Sequence, residues 1–407
     1  MLTRVIQVVE TRETAAPATA GELLELVRTG RAATRSQLRA LTGLSRTAVT
    51  ARVSALTNAG LLLIGEELAS TGGRPPGALV FNKDAGVVLA VAIGRSRSQL
   101  AVLDLDGQEL AADSRDHEVG VGPDDLLPDV AQRLTGLLDA AQADRGEPPV
   151  LGIGLSLPGT LDSVRGLSIG SPVMSGWDGV ELAPYFAGVA DAPLFVANDA
   201  DVLARSELLG GAGGLDDVLV VKASTGLGLG IIADGRVLSG HLGAAGEIGH
   251  TVVDAAGDLA CRCGATGCLE TIAAGWALVT RMAAEGDQGV PVEHVRDLVA
   301  LALQGDSFAR GLLRDSGREL GEVLAVAINL LNPAAVVIGG DMAAAFEFYL
   351  AGVRESVYRR SAPLATRDLQ FLPAVHGDRA GVVGCGALAL DHVLAPVAVD
   401  ARLAALA

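Results

Sequence analysis

A repeat restricts the fold of this chain more than any other feature. Val87-Val-Leu-Ala-Val-Ala-Ile-Gly94, Gln99-Leu-Ala-Val-Leu-Asp104 and Gln108-Glu-Leu-Ala read as three short strands joined by tight turns. Asp217-Val-Leu-Val-Val-Lys222, Gly228-Leu-Gly-Ile-Ile-Ala-Asp234 and Gly235-Arg-Val-Leu repeat that pattern. Self-similarity at long period implies two related lobes, each opening with a meander and continuing into helices, hence an α/β class. At 407 residues the chain exceeds one ordinary core. Aromatics are only 3% of residues, so the cores are built from closely packed Ala, Val and Leu.

Two further apolar runs, Gly152-Ile-Gly-Leu-Ser-Leu-Pro158-Gly159 and Leu194-Phe-Val-Ala-Asn198-Asp199, read as buried strands that deliver glycine or polar residues at their C-terminal ends. Ligands of parallel sheets bind at those ends. Asn198 and Asp199 there can hold a polyol, with Asp199 taking a hydroxyl proton as a catalytic carboxylate does in phosphoryl transfer. An Asn-Asp pair serves equally well as a helix cap. The glycine runs at 226–230 and 339–340 suit either a phosphate cradle or plain hairpin turns and strand ends.

Eleven residues after His250 comes Cys261-Arg-Cys263-Gly-Ala-Thr-Gly-Cys268-Leu-Glu270. Three thiolates and one imidazole complete a tetrahedral zinc set, and a set with no open position is a structural clamp rather than a hydrolytic centre. Gly264 and Gly267 fit a tight knuckle around an ion; a redox pair or three buried thiols is the alternative. Cys385, within Val382-Val-Gly-Cys-Gly-Ala, reads as a small buried hydrophobe. Four cysteines leave no disulfide framework, which points to a reducing interior. Met1 to Ala20 holds no apolar run of signal-peptide length, and Val323 to Gly339 is broken by Asn329, Asn332 and Pro333. A cytoplasmic protein without a membrane span is expected.

The formal net charge of -17 is uneven. Residues 1–80 hold nine Arg, no Lys and six Glu, a head at +3 before a body at -20. Within that head, Leu23, Leu24 and Val27 share a helical face, Thr34 caps a second helix ended by Gly43, and Ser45 caps a third, Arg46 to Asn58. Val49, Val53 and Leu56 face inward on this third helix, and Thr47, Thr50, Ala51 and Ser54 face outward. Small polar residues with arginine at the first turn suit a recognition helix, so Arg46, Thr47, Thr50 and Arg52 are candidate DNA contacts. A three-helix protein-interaction module is the alternative. The segment that follows, through Ser70-Thr-Gly-Gly-Arg74-Pro75-Pro76 to Phe81, reads as a hairpin wing whose Arg74 would enter a minor groove.

With these motifs together, the chain resembles the ROK family of repressors, open reading frames and sugar kinases. The likeness rests on the cysteine knuckle, Gly246-Glu-Ile-Gly-His250, Asn198-Asp199, Ser224-Thr-Gly-Leu-Gly-Leu-Gly230 and Val337-Ile-Gly-Gly340. It implies an N-terminal winged helix-turn-helix (1–82), similar to that of the family's repressors, before a two-lobed actin-like or hexokinase-like (ribonuclease H-like) body. The first lobe spans 83–198 and is completed by 380–407; the second, with the knuckle, spans 199–379. It also implies a sugar cleft formed by Gly159, Asn198, Asp199, Glu247, His250 and Glu270, with His250 shared between metal and sugar.

Two departures stand out. Family kinases open their first lobe with an Asp-x-Gly-x-Thr type phosphate loop, but here the stretch is Ala92-Ile-Gly94-Arg95-Ser96, so Mg-ATP should bind poorly. Val173 follows Pro172 where sugar-kinase relatives usually carry Asn. The expected function is a DNA-binding transcriptional regulator, a repressor, carrying structural zinc. It would bind a double-stranded operator as a homodimer or tetramer and sense a sugar or sugar phosphate. An ATP-dependent sugar kinase with Asp199 as base, and a ligand-blind dimeric regulator, are the alternatives.

Overall fold

The computed structural model describes residues 18–67, 77–143, 146–163, 165–169, 176–210, 214–286 and 291–406, which fall into two compact units. Among the described residues no single helix is long and apolar enough to cross a membrane.

The smaller unit comprises the N-terminal segment to Ala85 and the tail from His392. Its helices α1 (Ala20–Arg28), α2 (Arg35–Thr42) and α3 (Arg46–Asn58) each begin at a hydroxyl cap: Thr19, Thr34 and Ser45 accept the backbone N–H of Glu22, Gln37 and Ala48. Gly43 closes α2 in the left-handed conformation (φ 68°) and sets the turn into α3. Strands β1 (Leu62–Glu67) and β2 (Gly77–Phe81) pair antiparallel, giving three helices and a wing. Leu23, Leu24, Leu38, Val49, Val53, Leu56 and Leu79 form one core. Arg74 and the rest of the wing tip lie outside the described residues.

The tail divides in a way the sequence reading did not anticipate, since that reading assigned all of 380–407 to the first lobe. Helix Ala380–Val393 lies on the first lobe's sheet, but Pro396–Ala405 packs on α1. Pro396 starts a new helix after an extended Ala395. Val399 then enters the head core, and Asp400 Oδ1 accepts the Gly21 N–H at 2.9 Å.

The larger unit, Gly86–Asp391, holds two five-stranded sheets of the same topology. In the first, β3 (Val87–Ile93), β4 (Arg97–Asp104) and β5 (Glu109–Asp116) form an antiparallel meander. β6 (Val150–Leu157) then runs parallel to β3, and a small hairpin of β7 (Thr160–Asp162) and β8 (Leu167–Ile169) precedes β9 (Leu194–Asn198), parallel to β6. In the second, β10 (Val218–Ala223), β11 (Leu227–Ala233) and β12 (Arg236–Val237) form the meander. β13 (Ala335–Gly339) and β14 (Gln370–Pro373) follow in parallel. The repeat read from the sequence is therefore a repeat of sheets. β3, the central strand of the first sheet, and β13, an interior strand of the second, are buried at every position, as their unbroken apolar runs require.

Two helices cross between the lobes. Asp199–Leu208 leaves β9 of the first sheet yet packs on β10 and β11 of the second. Ala380–Val393 leaves the second sheet and packs on the first so closely that a Cβ on Gly154 would lie 1.9 Å from the Cys385 carbonyl oxygen. Cys385 itself is fully buried and donates its S–H to the Val91 carbonyl at 3.2 Å.

Candidate functional site

Between the lobes lies a cavity of about 690 Å³, lined by the C-terminal ends of β3, β6, β9, β10 and β13. Gly159, Asn198, Asp199, Glu247, His250 and Glu270 all line it. Asn198 has the cap role as well: its Oδ1 accepts the Ala200 N–H at 2.7 Å and its Nδ2 donates to the Gly159 carbonyl at 2.9 Å. This leaves one amide N–H and one lone pair for a ligand. Glu270 accepts the Leu227 N–H at 2.8 Å and the Trp276 indole N–H at 3.4 Å, so its carboxylate is aimed by two elements. Arg262, inside the knuckle, lies over the Trp276 ring at 4.4 Å. Gly246 has φ 88°, and a Cβ there would come within 1.7 Å of the Leu229 carbonyl oxygen, so only glycine lets the Glu247 loop close on β11.

The cleft is rich in carboxylates. Burial raises Glu247 above the usual range, with His250 opposing and Asp199 and Glu270 adding to it. Asp201, two residues beyond Asp199 in the same helix and almost fully buried, is pushed up to about 6 by burial, against the opposing Ser239 and Arg205. Sequence reading passed over Asp201 because a carboxylate in a helix's first turn is ordinarily a solvated one.

The four expected metal ligands converge. One ligand atom from each of His250, Cys261, Cys263 and Cys268 lies within 4.8 Å of the others. Cys263 and Cys268 Sγ are 3.7 Å apart, as are Cys261 Sγ and His250 Nδ1. Sulfurs about 2.3 Å from a shared tetrahedral ion stand at roughly that separation. The cysteines are free thiols, and the donor set of one nitrogen and three sulfurs fits a metal ion.

A model of the ROK family matches residues 88–392, three quarters of the chain. The chain belongs to the ROK family. It is 28% identical to the xylose repressor of Caldicellulosiruptor bescii over 338 residues, 80% of this chain and 83% of that one. A solved ROK family transcriptional regulator, a homolog of the E. coli MLC protein, superposes with a TM-score of 0.79 at 27% identity, covering 95% of this chain and 98% of that one. A ROK family glucokinase from Streptomyces griseus, solved in complex with glucose and AMPPNP, gives 0.62 at 26% identity and covers 74% of this chain and 99% of its own. The regulator thus accounts for the head as well as the body, and the kinase for a body-sized share.

Against the ROK kinase pattern, the other half of the cleft is rebuilt with charge. Ala92, next to last in β3, has no carboxylate to offer. Arg95 follows in the turn, half-buried, its guanidinium lowered to about 10 by burial and by Arg262, with Glu270 opposing; Nη1 is buried without a hydrogen-bond partner. Lys222 Nζ pairs with Asp199 Oδ2 at 2.6 Å, so the carboxylate that the sequence offers as a base is already held by a cation. Asp116 pairs with Arg97 at 2.7 Å and with Arg296 of the second lobe at 3.6 Å. His294 Nδ1 accepts the Arg296 N–H at 3.1 Å as a helix cap, so Nε2 carries the proton, 3.2 Å from Ser96 Oγ across the cleft. Ser224 donates to Asp341. The glycines at 228, 230 and 339 stand against Ala200, Ala204 and Leu203, which makes them packing positions. No motif announces His294, Arg296 or Asp341. Lys222 did leave a signal, being one of two lysines in the chain and embedded in an apolar strand.

On α3 of the head, Arg46, Thr47, Thr50, Ala51 and Ser54 are exposed together while Val49, Val53 and Leu56 are buried. Arg52 lies on the flank, half-buried, and donates to the Ala48 carbonyl at 3.3 Å. Val173 lies outside the described residues.

Proposed function

We propose that this protein is a cytoplasmic DNA-binding transcriptional repressor whose ROK body senses a carbohydrate and has lost kinase activity. One observation carries the reading: a three-helix head with an exposed Arg46, Thr47 and Thr50 face shares its chain with a cleft lined by Gly159, Asn198, Asp199, Glu247, His250 and Glu270, residue types suited to a polyol. The xylose repressor and MLC-homolog relatives support it. Arg46, Thr47, Thr50 and Arg74 contact an operator, and a homodimer or tetramer spaces the heads on a palindromic site. His250, Cys261, Cys263 and Cys268 hold structural zinc, which steadies Arg262, Trp276 and Glu270 against the sugar.

Chain connectivity supplies a route for coupling. Helix Ala380–Val393 begins with Ala380 and Gly381 on the cleft wall, and two residues after its end the chain enters the helix that packs on α1. A ligand that favours one lobe arrangement would bias the head through that strut, provided it binds the two states with different affinity. Mobility shifts on genomic fragments recovered with the protein test the reading. Arg46→Ala should weaken binding and lower the salt slope by about one. At least one sugar in a broad panel should change the shift; if none does, the sensing half fails, and if no fragment is enriched, the DNA reading fails.

The kinase reading retains one supporting observation, Asp199 at the cleft wall, with Lys222 and Ala92 opposed to it. ADP release below about 1 per second with every hexose and N-acetylhexosamine supports its loss; faster turnover restores an enzyme.

A further inference from the structure

The charge rebuilt into the cleft also indicates what kind of carbohydrate fits. Resting on the sensing reading above, we propose that the effector is a sugar phosphate, whose phosphate seats between Arg95 and Lys222.

Three features of this cleft lead there. Arg95 stands in the turn that a phosphate loop would occupy, on the cavity wall, within electrostatic reach of Glu270 and Arg262 of the second lobe. Its Nη1 is buried and finds no partner among the described residues. A guanidinium forks naturally around phosphate oxygens, and a buried N–H without an acceptor favours a ligand that brings one. Lys222, near the end of β10 in the second lobe, is another cation lining the same cavity, and its ammonium has three donors, of which Asp199 takes one. The ion pair also cancels the Asp199 charge, so an incoming anion at that corner does not meet a bare carboxylate. Ser96 and Thr225 line the same stretch with hydroxyls, both already near His294 Nε2. Asp341 also lines the cavity, and it is engaged by the Ser224 hydroxyl.

This arrangement also accounts for the departures at Ala92 and Arg95. A kinase needs a free base at Asp199 and a small residue at 95, so that a second substrate's phosphate can approach. A sensor of an already phosphorylated sugar needs neither. It needs cations where the phosphate ends up, and Arg95 and Lys222 both line the cavity.

Calorimetry on the full-length, zinc-loaded protein tests the proposal with paired probes: D-glucose and its 6-phosphate, N-acetyl-D-glucosamine and its 6-phosphate, D-xylose and its 5-phosphate, with D-glucuronate and orthophosphate alongside. At least one phosphate should bind about tenfold or more tighter than its own parent sugar, and tighter than orthophosphate by a similar factor. In Arg95→Gln and in Lys222→Met, checked for zinc content and melting temperature, that ratio should fall towards one. A neutral sugar that binds as tightly as its phosphate overturns the inference and leaves the sensing reading standing. So does a ratio unchanged in both variants. Tighter binding of D-glucuronate than of any phosphate assigns the site to carboxylates and overturns it too, as does orthophosphate matching the sugar phosphates. Absence of all binding removes the sensing reading, and this inference with it.

Discussion

The two halves of the cleft were built to different rules. The half around Glu247, His250 and Glu270 is held by backbone geometry and a metal-ligand cluster, and the Glu270 carboxylate there is aimed by fixed neighbours. The half around Ala92, Arg95 and Lys222 sits on equivalent strand ends, yet its side chains pair with one another: Lys222 with Asp199, Ser96 with His294, Asp116 with Arg97 and Arg296. The first half presents groups to a ligand, whereas the second satisfies most of its groups internally. Homology of fold therefore says little about which half still does chemistry; the pairing of the side chains says more.

The largest test of this contrast is Cys263→Ser. Zinc content should drop from about one per chain to near zero, with melting lowered by roughly 10 °C or more. Arg97→Ala, on the rebuilt half, should cost no more than about 1 kcal/mol because its ion pair is largely exposed. Equal effects of the two would erase the distinction.

Next in size is Glu270→Gln, which retains an acceptor for Leu227 but loses the charge facing the sugar. Carbohydrate affinity by calorimetry should fall roughly 30- to 150-fold, the equivalent of about 2 to 3 kcal/mol. An unchanged affinity would mean that the sugar does not touch this wall.

Asp201, in the helix that Asp199 opens, gives a pH-dependent test. Its folded pKa is raised to about 6, above the ordinary carboxylate range, so above pH 6 the buried carboxylate is ionised at a cost to stability. The cost is relieved as pH falls through that value. Asp201→Asn should therefore be more stable than the wild type at pH 8, by up to about 3 kcal/mol, and the gain should vanish near pH 4. Denaturant melts at the two pH values measure it, and a constant difference would refute the assignment.

The smallest effect is expected at His294, whose pKa is lowered by burial and then by Arg296. The unfolded chain takes up this proton near pH 6.5, so the residue's contribution is full above that pH and declines as pH falls through the lower folded value. His294→Asn keeps a cap without titrating, and should flatten the loss of stability between pH 7.5 and 5.5 by less than about 1 kcal/mol. A steeper loss in the variant would mean that the Ser96 bridge does not depend on this ring.

How much was legible beforehand depended on how local the signal was. The caps Thr34 and Ser45, the stop at Gly43 and the inward face of α3 are short-range and read directly. The repeated meander followed from strand alternation, and the knuckle from the spacing of thiols around two glycines. The tail was read differently because Ala380–Val393 and Pro396–Ala405 are both apolar helices, and nothing in their composition says which core each enters. Lys222 stands 23 residues from Asp199 and His294 stands 198 from Ser96, so these cleft partners could not be read from neighbours in sequence.

By itself, the sequence determined the two kinds of core, the cluster of thiols and imidazole, and the absence of a carboxylate at position 92. These depend on residue type and near spacing, which the backbone carries into any fold it adopts. Only the tertiary structure decided that Asp199 is held by Lys222, that Asn198 spends half its amide on a helix end, and that Arg95 retains an unpartnered donor. The physical reason is that an ion pair or a satisfied hydrogen bond is a property of two groups and the distance between them. That distance is set by helices crossing from one sheet to the other, not by position along the chain.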